Sequence, residues 1–299
     1  MPSLKSWLKA SRLRTLPLAL SSILMGSFLA IHEGNYKWIV IILAIVTTTL
    51  LQILSNFSND YGDSMRGTDN DYRIGPVRTV QGGEISPKQM RMGMLLIGIL
   101  TLLSGIWLIY ESFGTNWINA VVFLLFGILA IVAAVKYTVG NRSYGYSGFG
   151  DIFVFIFFGL LAVTGTYYLN SMDFSTYILL PAATMGFFST AVLNLNNMRD
   201  VENDLNSGKM TVVVRLGYNS ARIYQVFLII TGFLAALIYV SITYSSYLEF
   251  LFLLTTPLFI SNLIGIFKVK EHRKLDPYLK KTALATLLFV IVFGIGLLL

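Results

Sequence analysis

The chain of 299 residues contains no cysteine, which excludes disulfides and thiolate-ligated metals. Histidine is almost as rare: His32 and His272 stand alone, so an imidazole metal cluster is not expected. Charge is scarce too. Asp, Glu, Lys and Arg make up 12% of the chain, where a soluble domain carries about 25%. No DNA- or RNA-binding module is recognisable, and no nucleic-acid partner is expected despite a net charge of +7.

In place of charge there is hydrocarbon. Hydrophobic residues form 55% of the chain and the mean hydropathy is +0.70. Apolar runs of about 18 residues or more read as transmembrane helices, and nine occur, at roughly 16–31, 38–58, 92–110, 117–137, 152–170, 176–196, 223–243, 247–267 and 283–299. The basic, then apolar, N-terminus lacks a small-residue cleavage site followed by a polar domain, so a retained first helix is expected rather than a signal peptide. The expected fold is all-α: one transmembrane domain over residues 1–299, a bundle of nine helices.

Orientation follows from the cations. With the N-terminus placed in the cytoplasm, every lysine and arginine except Lys37 falls on that side, the positive-inside pattern. Nine spans then put the C-terminus outside. The basic residues are juxtamembrane, which topology and anionic lipid headgroups explain.

The acids are distributed less simply. Glu33, Glu111, Asp173 and Glu249 lie singly in outer loops, whereas Asp60, Asp63, Asp69, Asp71 and Glu84 follow the second span and Asp200, Glu202 and Asp204 follow the sixth. Asp200 and Asp204 are four apart, with Asn196 or Asn197 a turn earlier if the sixth helix continues. Asn56, Asn59 or Asp60, and Asp63 recur at the same spacing. Each helix end would present a stripe of hard oxygen ligands, suited to Mg²⁺ or Ca²⁺ rather than zinc or copper. Two such stripes facing one another form a pocket that repels phosphate until metal neutralises it, so a metal-bridged anionic substrate is expected. Asp63-x-x-x-Gly67 and Asp204-x-x-x-Gly208 also read as a weak internal repeat. Asp69 and Asp71 follow Gly67, where the helix is expected to end.

At these residues the sequence resembles the UbiA-type superfamily of intramembrane aromatic prenyltransferases. Asn59, Asp60 and Asp63 match its Asn-Asp-x-x-Asp pattern, and Asp200 and Asp204 its Asp-x-x-x-Asp pattern. Finer features resemble the branch that prenylates 1,4-dihydroxy-2-naphthoate in menaquinone synthesis: Arg14-Thr-Leu-Pro17, Arg66-Gly-Thr-Asp69, Gly75-Pro-Val-Arg78 with Gln81-Gly-Gly, Tyr137 to Arg142, Tyr144-Gly-Tyr, Phe157-Phe-Gly159, and Asn196 to Thr211. One departure is visible. Where many members carry Tyr-x-x-x-Lys, this chain has Tyr137-Thr-Val-Gly-Asn141 with Arg142 one place on, which weakens assignment to the 4-hydroxybenzoate enzymes.

The resemblance implies transfer of a polyprenyl group from its diphosphate to the naphthoate ring, with loss of carboxylate, at a cytoplasm-facing site in the bacterial inner membrane. Mg²⁺ would be held by Asn59, Asp60, Asp63, Asp200 and Asp204. Lys209, Arg78, Arg142 and Arg199 would bind diphosphate, with Asn197 nearby; for the arginines, topology or headgroup contact serves as well. Of Tyr61, Tyr137, Tyr144 and Tyr146, Tyr137 is the leading candidate to stabilise a carbocation. The glycine-rich segments 140–150 and 81–83 read either as mobile cover or as tight turns. An ion-coupled transporter would instead bind ions near the bilayer midplane, and the Asp-x-x-Asp-Gly-x-x-Ala-Arg run of alcohol phosphotransferases is absent.

Overall fold

A computed structural model describes residues 2–67, 76–140 and 143–299; Asp69, Asp71, Gly75 and Arg142 lie outside the described residues. Nine helices among these are long and apolar enough to cross a membrane: α1 Leu4–His32, α2 Trp38–Met65, α3 Pro87–Phe113, α4 Trp117–Lys136, α5 Gly150–Ser171, α6 Thr176–Arg199, α7 Tyr218–Thr243, α8 Tyr247–Lys268 and α9 His272–Leu298. No strand occurs among the described residues. A backbone that pairs all its amides within each helix is what hydrocarbon demands.

Local chemistry sets the helix ends. In α1 a first segment is capped by the Ser3 hydroxyl, which accepts from the Ser6 amide at 3.1 Å. Arg12 then adopts a left-handed conformation (φ 48°) and a tight turn, Leu13–Thr15, leads into a second segment with Pro17 in its first turn. Proline is pre-set for that position. Helix α3 opens on a capping box between Ser86 and Gln89, satisfying two otherwise unpaired amides. Helix α2 runs to Met65, about two turns beyond the hydrophobic run, and Gly67 closes it at φ 71°.

Helices α1, α5, α6 and α9 form the centre. Helix α2 packs against α3 and α4 on one side, while α7 and α8 flank α6 and α9 on the other. Helix α6 is the most deeply buried span and α4 the least, and α3 and α4 present Leu95, Ile99, Leu103, Leu125 and Leu129 outward, as lipid contact requires. The main core is aromatic: Phe188 lies edge-on to Phe289 at 5.1 Å, and Phe252 to Phe289 at 5.3 Å. Where α5 crosses α6, a Cβ on Gly159 would come within 2.5 Å of the Gly186 Cα; only two glycines allow that approach. A π-helical stretch of α5, Phe155–Leu161, lies at the same crossing.

Alternate helices therefore bring the C-terminal ends of α2 and α6 and the N-terminal ends of α1 and α9 to one end of the bundle. That end carries both acidic segments and nearly all the cations.

Candidate active site

A single cavity of about 600 Å³ joins the acidic end to the apolar interior. Its polar mouth is lined by Asn59 and Asp63 of α2, Arg78, Asn196 of α6 and Lys209. It then follows α2 back to Ala44, a distance of about 28 Å at ~1.5 Å per residue. The far end is lined by aromatic side chains, among them Phe123 and Tyr168, stacked at 5.5 Å.

Asp63 is the hub of the first acidic segment. Its Oδ1 accepts from the Tyr146 hydroxyl at 2.6 Å, and its Oδ2 pairs with Arg78 Nη1 at 2.6 Å. Arg78 also donates to the Asn59 backbone carbonyl at 2.5 Å. The Asn59 side-chain oxygen accepts from Thr138 at 3.2 Å, which ties α2 to the turn after α4. Asn59 and Asp63 are one helical turn apart and both face the cavity.

The second segment is not one continuous helix. Helix α6 stops at Arg199, Asp200 occupies a break (φ −98°, ψ 10°), and a short helix, Val201–Asn206, follows. The Asp204 amide still bonds the Asp200 carbonyl at 2.8 Å, so the two acids stay one turn apart across the break. Gly208 ends the segment at φ 70°, as Gly67 ends the first.

Lys209 connects the two. Its ammonium lies 3.3 Å from Asp204 Oδ1 and 5.8 Å above the Tyr146 ring. Burial works against its charge, yet Asp204, with Tyr137, Asp63 and Asp200, holds it above its ordinary range. Burial, abetted by the charges of Asp200 and Asp63, pushes the Asp204 carboxyl up to about 6 against the pull of Lys209. The cost of burying the Asp204 charge is what a bound cation would offset.

Several expected residues take other posts. Arg199 is buried and does not open onto the cavity: Nε and Nη2 reach both oxygens of Asp200 at 2.9 and 2.7 Å, Nη1 reaches Asp276 at 2.5 Å, and Nη2 donates to the Asn196 side chain at 2.9 Å. It orients Asp200 from behind. Asp60 is also turned away from the cavity, its two oxygens bonded to the turn at Thr79 and Val80. Tyr61 packs with the N-terminal helix beside Phe57 and Met90. Asn197 is buried with its side-chain oxygen unbonded. The segments 81–83 and 143–150 are tightly held turns: Gly83 has φ 70°, and a Cβ on Gly145 would meet the Tyr137 carbonyl at 2.6 Å.

Tyr137 lies where expected, on the cavity wall, its hydroxyl pKa raised chiefly by burial. It continues into an aromatic wall: Tyr137 is edge-on to Tyr144 at 5.3 Å, Tyr144 stacks on Phe153 at 4.0 Å, and Phe153 on Phe157 at 6.0 Å. Such faces attract positive charge. Two partners were not legible beforehand. Tyr146 belongs to a recognisable Tyr-Gly-Tyr, but nothing in its spacing points to Asp63; Asp276 is 77 positions from the arginine it holds.

A hard divalent cation fits this donor set. Asp204 keeps one carboxylate oxygen, Oδ2, without a hydrogen-bond partner although buried, as does the Asn197 carbonyl oxygen. Among the described residues no three acidic or histidine side chains close on one point. This suits Mg²⁺, which takes one or two carboxylates and completes its shell with water and substrate phosphate.

The fold has solved counterparts. A structure described as a UbiA homolog from Archaeoglobus fulgidus bound to GPP and Mg²⁺ superposes with a TM-score of 0.65 at 16% identity, over 98% of this chain and all of that one. In sequence, the 1,4-dihydroxy-2-naphthoate octaprenyltransferase of Haemophilus influenzae is 43% identical, covering 99% of this chain and 96% of its own length. The protein of the same name from Escherichia coli K12 is 40% identical over 98% and 95%. The UbiA prenyltransferase family model matches residues 19–290. A membrane bundle with paired acidic segments over an aromatic-walled cavity, matched across nearly its whole length, belongs to the UbiA prenyltransferase family.

Proposed function

We propose that this prenyltransferase moves a polyprenyl group from polyprenyl diphosphate onto 1,4-dihydroxy-2-naphthoate, with loss of the carboxylate, giving demethylmenaquinol, the hydroquinone form of demethylmenaquinone. The observation that carries the reading is the junction of an acidic, lysine-bearing mouth with a long apolar cavity, in a chain 43% identical to a relative so named. A diphosphate head and a polyisoprenoid tail require that junction.

Mg²⁺ would be held at either segment by one or two carboxylates, Asp63 with Asn59 on one side and Asp204 with Asp200 on the other, and would neutralise the diphosphate as negative charge grows on it. Lys209 and Arg78 donate charge-assisted hydrogen bonds to the leaving oxygens. Breaking the allylic carbon–oxygen bond leaves both electrons on diphosphate. Tyr137, Tyr144 and Phe153 face the resulting cation, and the apolar walls exclude water that would otherwise capture it. The ring carbon then forms the new carbon–carbon bond, and carbon dioxide leaves.

Membranes containing the protein, given a polyprenyl diphosphate with dihydroxynaphthoate and 4-hydroxybenzoate in parallel, are expected to prenylate the naphthoate only, to release its carboxyl carbon, and to stop when EDTA removes Mg²⁺. Prenylation of hydroxybenzoate at an equal rate would overturn the acceptor assignment.

The charge partition supports a site facing the cytoplasm of a bacterial inner membrane. The absence of cysteine makes this directly measurable. A cysteine at Asn35 is expected to react with an impermeant maleimide in intact cells, and one at Lys270 only after the membrane is opened. The reverse pattern would invert the topology.

A further inference from the structure

We infer that Asp60 is a positioning residue and not a metal ligand: it clamps the turn 79–85 onto α2 so that Arg78 is held across Asp63. The inference rests on the reading above, in which Asp63 and its neighbours receive a metal-bound diphosphate.

Both oxygens of the Asp60 carboxylate are held by protein donors away from the cavity, whereas Asp63, bonded by Tyr146 and Arg78, lines it. Asp60 Oδ2 accepts from the Thr79 hydroxyl at 2.6 Å and the Thr79 amide at 3.1 Å, and Oδ1 accepts from the Val80 amide at 3.2 Å. Only 2% of the residue is exposed. A carboxylate gripping two consecutive amides and a hydroxyl is an anchor. Withdrawing it would leave two buried amides unpaired, which native structures avoid.

The turn it grips is compact. The Glu84 and Ile85 amides both bond the Thr79 carbonyl, at 2.9 and 3.1 Å, and the Gly83 amide bonds that of Val80 at 3.1 Å. Val80 and Ile85 are buried with Ala10, Phe57 and Met90. Arg78 directly precedes this turn, so anchoring Thr79 fixes where its guanidinium begins. From there it spans the Asn59 carbonyl and Asp63.

Helix α2 thus carries two parallel polar stripes, offset by one residue, or about 100°. Asn59 and Asp63 line the cavity. Asn56 and Asp60, also one turn apart, fasten neighbouring chain, Asn56 from the cavity wall and Asp60 from behind it: the Asn56 amide group donates to the Ser11 carbonyl at 2.9 Å and the Thr15 hydroxyl at 3.0 Å. The adjacent Asn59-Asp60 pair therefore divides its work, one residue to each stripe.

The test uses the purified full chain, Mn²⁺ as metal probe (free Mn²⁺ read by EPR) and inorganic diphosphate as anion probe. D60N is expected to bind Mn²⁺ within about twofold of the wild type, whereas D63N weakens it at least about tenfold. Diphosphate binding to the Mn²⁺-loaded protein is expected to weaken about tenfold in D60N, as in R78Q. The double variant D60N/R78Q should be no weaker than R78Q alone, the signature of residues acting through one another. T79V, which removes one of the three bonds, should show the same pattern more mildly and replaces D60N should that variant fail to fold. A D60N protein that loses Mn²⁺ as D63N does would make Asp60 a ligand and overturn the inference. Additive losses in the double variant would overturn it as well. Neither probe contains the prenyl chain or the aromatic ring, so a wrong acceptor assignment leaves these results unchanged. Wild-type protein that binds neither probe would sink the metal reading and this inference together.

Discussion

Replacing Asp63 with alanine is expected to lower prenyl transfer by about 10³-fold, with the amount of protein inserted in the membrane unchanged. Asp63 is where the cavity mouth is wired together: Tyr146 donates to one oxygen, Arg78 pairs with the other, and Lys209 acts on it from the opposite segment. Its loss removes a proposed metal ligand and releases two groups aimed at the diphosphate. Asp63→Asn keeps the shape and a hydrogen-bond acceptor for Tyr146 but not the charge, so it should fall nearly as far. The measurement is product formed per inserted molecule at saturating Mg²⁺. Turnover within tenfold of the wild type in both variants would remove Asp63 from the site.

Lys209→Gln is expected to lower kcat by about 10²-fold, because its charge lies where the leaving group develops negative charge. The same change has a structural signature. Lys209 is buried beside Asp204, and breaking one side of a buried pair costs roughly 3–5 kcal/mol. The thermal midpoint in detergent should therefore drop, and Mg²⁺ should restore part of the loss by neutralising Asp204. A stable variant with normal kcat would show that Lys209 serves neither purpose.

How much of this was readable beforehand divides along physical lines. Burial of hydrocarbon is a property of composition and length, so nine spans and their all-α fold could be read from apolar runs. The partition of charge, which leaves Lys37 alone, likewise needs only the sequence. Helix ends were legible in part. Helix α2 runs through Asn56, Asp60 and Asp63 and stops before Gly67 as its spacing suggested; it outlasts the apolar run because each polar side chain finds a partner outside the helix, and hydropathy does not register such partners. The break at Asp200 is invisible for a related reason: residues on both sides are helical, and Arg199 stabilises the interruption only by reaching Asp276, far along the chain.

The candidate site was legible as a set of residue types and less so as an arrangement. Asn59, Asp63, Asp204 and Lys209 stand together as the motifs suggest. Helical spacing alone admitted either Asn59 or Asp60 to the cavity stripe, and only packing against the turn at Thr79 separates them. Arg199 carries the same charge as Arg78, but one is locked among protein carboxylates and the other lines the cavity. Spacing cannot distinguish those fates, since the deciding partners come from α9 and from the turn before α3.

The central claim is that the two acidic segments close on one metal-bound diphosphate. Crystals of the full chain grown with Mn²⁺ and a prenyl diphosphate analogue, examined by anomalous scattering, test it most directly. The account predicts Mn²⁺ between Asp63 and the Asp200–Asp204 segment, with diphosphate against Lys209 and Arg78. Metal bound near the middle of the bundle, or on one acidic segment with the diphosphate elsewhere, would contradict it.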